Sequence, residues 1–284
     1  MSLRWIYIIA FPLLFVHVSA PAQPSLIELA RNAPSSEVEK AIRRGANVSV
    51  VNGDQQTPLH IAAAHNGAPR VIKLLLREGA DVHARDEERN TPLMAAAAQN
   101  DNPAVIEALV TGGADIGARD RLGRTALMLA AGLNPNPDVA GALLDAGAAL
   151  STEDRRTERW NALFYAACWN ENPDMTALLL ERGADPTRRS SKLKRPLLTE
   201  VITRVDDTSV VELLLEAGSD PNAKTPDGWT VLMEAAGEID NPNLLEVLVS
   251  HGGHVNARHE EYRATALMVA ARYNSHPAVV RRLL

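Results

Sequence analysis

The chain of 284 residues contains one cysteine, Cys168, and its Phe, Trp and Tyr together make up only 4% of it. A single cysteine cannot close an internal disulfide, and it excludes zinc sites built on two or four cysteines. Few aromatics against 46% hydrophobic residues leave a core of Ala, Leu and Val, which points to helices packed through small side chains. An excess of positive charge is also missing. The formal net charge is −6 and the pI about 5.8, whereas a protein that binds a phosphate backbone needs a net basic face, so nucleic acid is not an expected partner. The short patterns that carry catalysis are absent as well. There is no His-Glu-x-x-His, no Gly-x-Ser-x-Gly, no glycine-rich loop before a Lys-Ser/Thr pair and no Cys-x-x-Cys. Catalytic residues, a metal site and a bound cofactor are therefore not expected.

Long apolar runs are missing except at the start. Arg4 precedes a mostly apolar stretch from Trp5 to Val18, interrupted by Pro12 and His17, and then comes Ala20-Pro21-Ala22 followed by Gln23-Pro24. The stretch is shorter than the roughly 20 residues that cross a bilayer, and small-x-small is a cleavage pattern. Residues 1–22 read as a signal peptide, which leaves residues 23–284 exported to the periplasm or the extracellular space with no membrane span. No cysteine stands near the cleavage point to take a lipid anchor. Asn47-Val48-Ser49 would be a glycosylation acceptor in a eukaryotic secretory route.

What the chain does have is a period. The leucine of Thr57-Pro58-Leu59-His60 recurs at Leu93, Leu127, Leu163, Leu197, Leu232 and Leu267, with spacings of 34, 34, 36, 34, 35 and 35 residues. A second marker keeps step with it: Gly45, Gly79, Gly113, Gly147, Gly183, Gly218 and Gly252. Repetition on this scale signals stacked structural units.

Each period has a physical reading. Thr is a good helix N-cap, and the Pro that follows it suits the first helical position, where no N–H is needed. A short alanine-rich helix comes next, as in Ala95 to Ala98. A polar break such as Asn100-Asp101-Asn102-Pro103 leads to a second helix with an apolar stripe, for example Val105, Ile106, Leu109 and Val110. Glycine closes that helix because a left-handed residue costs least without a Cβ. One such pair cannot bury its apolar face alone, so the units must stack in a line.

Thr-Pro-Leu-His, the paired alanines, the Leu-rich second helix and Gly79-Ala80-Asp81-Val82 resemble the ankyrin repeat over about residues 25 to 284. The resemblance implies an all-α solenoid of antiparallel helix pairs with projecting turns. It also implies a protein-binding scaffold that uses its inner helices and fingertip turns. The chain departs from the pattern in three ways. Its period exceeds the usual 33, with the added residue in the Asn/Pro-rich loop between helices, in the manner of a bacterial type of repeat. The motif's His survives only as His60; Met94, Met128, Phe164, Leu198, Met233 and Met268 replace it, so apolar packing is expected in place of the inter-repeat hydrogen bonding that the family's His supports. The unit at Arg195 lacks the Thr cap and has Glu200 in place of alanine, which makes it the weak unit. The first of about eight units reads as a polar cap. The last stops inside its second helix, at Val279 to Leu284, as a fragment or a frayed end would.

Other residues are open to a functional reading. His251, His254 and His259 with Glu260 could make an envelope metal-binding or enzymatic protein of the same chain. They fall in a helix end and a turn, however, where no i, i+4 spacing fixes coordination geometry, and solvent-exposed turn residues are expected. The methionines read as core filler and Cys168 as a buried thiol. Two groups favour a protein partner. Arg155, Arg156 and Arg159 in one turn and Arg188, Arg189, Lys192, Lys194 and Arg195 in the next would share a basic patch. Beyond the leader, all seven aromatics fall in turns or first helices: Trp160, Phe164, Tyr165, Trp169, Trp229, Tyr262 and Tyr273. Phe164 and Tyr165 suit the core, whereas Trp160, Trp169, Trp229, Tyr262 and Tyr273 are expected at the binding face, as Trp and Tyr are favoured interface anchors.

Overall fold

The computed structural model describes residues 24–155, 159–190, 193–205 and 207–284. The leader and the basic-turn residues Arg156 and Lys192 lie outside the described residues. Among those described there are sixteen helices in eight pairs and no strand, only two isolated β-bridges inside turns. This is the all-α solenoid that the period implies.

The first helices are α1 (Leu26–Asn32), α3 (Pro58–His65), α5 (Pro92–Gln99), α7 (Ala126–Leu133), α9 (Ala162–Trp169), α11 (Leu197–Ile202), α13 (Val231–Glu238) and α15 (Ala266–Tyr273). The second helices are α2 (Ser35–Arg43), α4 (Pro69–Arg77), α6 (Pro103–Thr111), α8 (Pro137–Asp145), α10 (Pro173–Glu181), α12 (Thr208–Glu216), α14 (Pro242–Ser250) and α16 (Pro277–Leu283). First helices stack on first helices and second on second, giving two layers with the core between them. Val71, Ile72 and Leu75 of α4 are fully buried there, each contributing about 1.5–3 kcal/mol of transfer free energy.

Local chemistry sets the boundaries. The hydroxyls of Thr57, Thr91, Thr125, Thr230 and Thr265 each accept the backbone N–H three residues on, and Asn161 does the same for α9. Asn102, Asn136, Asn172 and Asn241 cap the second helices, with Pro in their first turns. Gly79 shows why glycine ends them: its φ is 91°, yet a Cβ built on it would meet nothing within 4 Å. Conformation, not space, requires it.

Apolar packing does stand where the motif's His is replaced, with Met94, Met128, Phe164, Leu198 and Met233 buried. Inter-repeat hydrogen bonding is carried as well by the far end of the first helix. Nδ2 of Asn100 donates to Ala63 O at 2.8 Å and to Asn66 O at 3.2 Å, in the preceding unit. Asn66, Asn134, Asn170 and Asn274 make the same pair of bonds. An amide carries both a donor that reaches two carbonyls and an acceptor for its own loop, which a methionine cannot supply. One expectation fails, at Met268. Met94, Met128 and Met233 are core residues as expected, but Met268 is 54% exposed because no described unit covers its face.

The unit at α11 is irregular as expected. Its helix has six residues where α3, α5 and α7 have eight, and no side chain caps it. Glu200 is buried, held by Arg195 Nε at 2.9 Å and an Arg204 amino nitrogen at 2.8 Å, so its charge is paired.

Candidate interaction surface

The aromatics form two groups. In the first, Trp160, Phe164, Tyr165 and Trp169 come from the turn before α9 and from α9 itself. The Trp160 and Trp169 rings lie 4.1 Å apart between centroids, and Tyr165 and Trp169 5.1 Å. Trp160 also stacks on Phe164 at 6.1 Å, and the Arg204 guanidinium sits 5.4 Å from its ring. Trp160 therefore does not stand at the binding face, as its turn position suggests; it is 5% exposed. Its turn is two residues longer than its neighbours, and Asp154 folds that loop inward. The Asp154 carboxylate accepts the Trp160 N–H at 3.1 Å and the Tyr165 hydroxyl at 2.7 Å. Gly132 makes room for Tyr165, since a Cβ there would lie 3.1 Å from the ring.

Trp169 is the member of this group that reaches the surface. As the last residue of α9 it is 42% exposed, and it shares a groove with the exposed Leu133 at the end of α7. Pro135, Asn170, Asn172 and Pro173 complete the walls. Burial pushes the neighbouring Cys168 thiol up to about 12, so it stays protonated and is no nucleophile.

The second group is Trp229, His259 and Tyr262, from successive turns, with ring centroids 4.6 Å apart for Trp229 and His259 and 6.0 Å for Trp229 and Tyr262. Trp229 is half-buried, while Tyr262 and Tyr273 are exposed and line one cleft with it. Here His259 corrects the sequence reading: it is buried rather than exposed. Its Nδ1 accepts the Glu261 and Tyr262 N–H groups at 3.2 Å, which leaves Nε2 to donate to Asp227 O at 2.7 Å. His251 turns to the Val247 carbonyl at its helix end, and the His254 N–H donates to Asn222. Among the described residues no three His, Cys, Asp or Glu side chains are grouped as a metal ion requires. The rings of His251 and His259 thus serve backbone groups in separate places.

The basic turns are engaged more than their sequence suggests. Arg189 donates to Lys194 O at 2.9 Å and to Lys224 O at 2.7 Å, riveting one turn to the next, as Arg85 and Arg119 do elsewhere. Arg188 pairs with Glu153, and Arg195 with Glu200 and Glu234. Arg155 and Arg159 are exposed.

Three stretches of the chain, residues 26–120, 95–190 and 200–284, match the family described as ankyrin repeats (3 copies). The chain belongs to the ankyrin-repeat family. The ankyrin repeat domain of Bcl-3, described as a member of the IkappaB protein family, superposes with a TM-score of 0.65 at 32% identity, covering 81% of this chain and 99% of that one. The human ASB11 ankyrin repeat domain gives a TM-score of 0.68 at 21% identity over 82% of this chain and 99% of its own, a likeness of fold alone. A curated relative from Echinops telfairi, the ankyrin repeat, SAM and basic leucine zipper domain-containing protein 1, is 47% identical over 64 residues. That match covers 22% of this chain and 13% of the relative's length.

Ankyrin-repeat domains bind other proteins, and the family is typically made of non-enzymatic interaction modules. In this ankyrin array the exposed Leu133, Trp169 and Tyr273 sit where first helices end, and the exposed Leu122, Leu193 and Tyr262 lie in the turns. No helix among the described residues is long and apolar enough to cross a membrane. Sequence reasoning missed the asparagine ladder, although Asn66, Asn100, Asn134 and Asn170 keep the repeat period and were there to be counted.

Proposed function

We propose that this chain is an exported ankyrin-repeat module, periplasmic or secreted, that binds a protein partner as inhibitor, protective partner or scaffold. The partner docks across the ends of the first helices and the adjoining turns. One observation carries the reading: Trp169 stands 42% exposed on a rigid base of Trp160 and Tyr165, beside the exposed Leu133. The part of this ring that is left at the surface adds nothing to folding, while a partner's pocket gains from it. Trp229, Tyr262 and Tyr273 extend the same kind of surface towards α15. Export rests on Arg4, the Trp5 to Val18 run and Ala20-Pro21-Ala22.

The test places a photo-crosslinking phenylalanine analogue at position 169 and, as a control, at exposed Glu107 of α6, in the native cells. Crosslinks to one protein from position 169 and none from 107 support the reading. With that protein in hand, Trp169→Ala should weaken binding by about 2 kcal/mol or more and lower the folding stability by less, through the lost packing on Trp160 and Tyr165. An unfolded Trp169→Ala chain with intact affinity would move Trp169 to the core and the binding face elsewhere. N-terminal sequencing of the same material tests export: the mature chain should begin near Gln23.

A further inference from the structure

Each turn holds one residue in the left-handed region, always two positions before the residue that caps the next first helix. They are Gln55 (φ 61°), Arg89 (65°), Gly123 (80°), Arg159 (52°), Lys194 (55°), Gly228 (88°) and Arg263 (55°). Glycine takes this conformation freely, Asn and Asp tolerate it best among the rest, and other side chains are strained in it. At Gly123 and Gly228 the following turn also crowds the site, since a Cβ would lie 2.4 Å from Arg155 Cγ and 3.2 Å from His259 Nε2. The remaining five positions carry neither Gly, Asn nor Asp. Four of them carry a cation, and all five are exposed. None of these five side chains bonds or pairs with a described residue, so the strained cations do nothing for the fold.

Two of the four stand on neighbouring turns. Arg159 lines a cleft with Arg119, Arg155 and Arg188, and Lys194 projects from the adjacent turn. The acids of that cleft are committed elsewhere: Glu153 to Arg188, and Asp154 to the Trp160 N–H and the Tyr165 hydroxyl. No described carboxylate pairs with Arg155 or Arg159. The basic stretch is also short. Turns on one side carry Asp54, Glu87 and Glu88, and those on the other Asp227, Glu260 and Glu261. A continuous phosphate backbone would meet these acids, whereas a short run of carboxylates would not.

We infer that the turns bearing Arg155, Arg159 and Lys194 take an acidic, extended segment of the protein partner. This rests on the reading of the chain as a protein-binding module and names the chemistry of what it binds. Planar guanidinium groups suit carboxylates, and the strain tolerated at Arg159 and Lys194 keeps both cations at the fingertips.

The test uses fluorescence anisotropy on the mature chain with a labelled peptide of alternating Asp and Gly, a matching Lys peptide, and a single-stranded DNA oligonucleotide. The Asp peptide should bind and weaken as salt rises, and the Lys peptide should not bind. Arg159→Gly combined with Lys194→Gly relieves the backbone strain, so the urea midpoint should hold or rise while peptide affinity falls by about tenfold or more. Arg89→Gly relieves the same strain outside the cleft and should leave affinity within about twofold. Failure of the wild-type chain to bind the Asp peptide, or full retention by the double variant, overturns the inference. So does DNA binding as tight as the peptide's. If crosslinking at position 169 captures a partner while the Asp peptide does not bind, only this inference falls. If neither happens, the binding role falls with it.

Discussion

The units at α5 and α7 and the unit at α11 are built on one period but are tied to their neighbours by different means. Asn100 and Asn134 each hold the preceding unit through two buried amide bonds, and Thr91 and Thr125 cap the helices. At α11 the place of Asn100 falls to Arg204, which pairs with Glu200 of its own helix, and the helix ends at Thr203, whose hydroxyl turns back to Thr199 and Glu200. Pro196 offers no side-chain cap, and the buried Glu200 stands where α5 has Ala96. The side-chain ties of this unit to its neighbours include longer side chains: Arg188 to Glu153, Arg189 to Lys224 O, Arg195 to Glu234, and Arg204 over the Trp160 ring. The difference shows a division of labour. The regular units fix the register, and the irregular one supplies the arginine that backs the aromatic base under Trp169.

The largest expected effect would come from removing the tie itself. Asn100→Ala strips donors from two carbonyls in a dry site and removes the acceptor for the Asn102 N–H. Unsatisfied buried groups of this kind cost about 2–4 kcal/mol in total. Urea unfolding should show it as a lower midpoint with an unchanged slope. Thr203→Ala is the partner measurement, and it should cost less than about 1 kcal/mol because it breaks bonds within one helix. Equal losses at the two positions would dissolve the contrast between the regions.

A smaller effect needs no mutation. Native-state hydrogen exchange should find amides of α11 opening about 1–2 kcal/mol more easily than those of α5, from the missing cap and the missing ladder rung. Matched protection would show that the Arg195–Glu200–Arg204 cluster makes good what the asparagines do elsewhere.

Much of this architecture could be read from residues alone. The leucine and glycine periods, the Thr caps and the helix-starting prolines act within a few residues, so local pattern reveals them. The ladder acts between residues 33 to 39 apart, and a polar break looks the same whether its Asn faces water or a neighbouring helix end. Trp160 misled for a related reason. Its turn position indicates exposure, but two inserted residues let the loop fold back on Asp154 and carry the indole onto Phe164. His259 occupies a turn slot held by Asp86 and Asp120 in other units, where the side chain accepts backbone N–H groups. Its burial follows from that slot and from the Trp229 ring beside it. Trp169 was legible because the last residue of the first helix is exposed in the regular units, as at His65, Gln99 and Leu133.

The smallest expected effect belongs to His60, where the regular region keeps the family's histidine. Its Nδ1 accepts the Thr57 N–H at 3.2 Å, so the ring proton sits on Nε2 and donates to Asn90 O at 3.0 Å, in the next turn. That tautomer is neutral, and burial holds the pKa below the usual 6.5, against the opposing pull of the Asn90 carbonyl and of Asp86. The sign follows from proton counting. As pH falls through 6.5 the unfolded chain takes up a proton before the folded one does. The stability His60 contributes is therefore complete above pH 6.5 and is lost as pH drops below it towards the folded value. Met94 and Met128 already fill the equivalent place in neighbouring units, so His60→Met should fold, lose the bond to Asn90, and lose this pH dependence with it. Carboxylates, and His65 with its own lowered pKa, also weaken the fold in acid, but they are the same in both chains. The quantity to measure is thus the fall in urea midpoint between neutral pH and about pH 5.5, wild type against variant. It should be smaller in His60→Met. Identical falls would mean that His60 binds its proton equally well folded and unfolded, and that it gives the regular region no pH dependence.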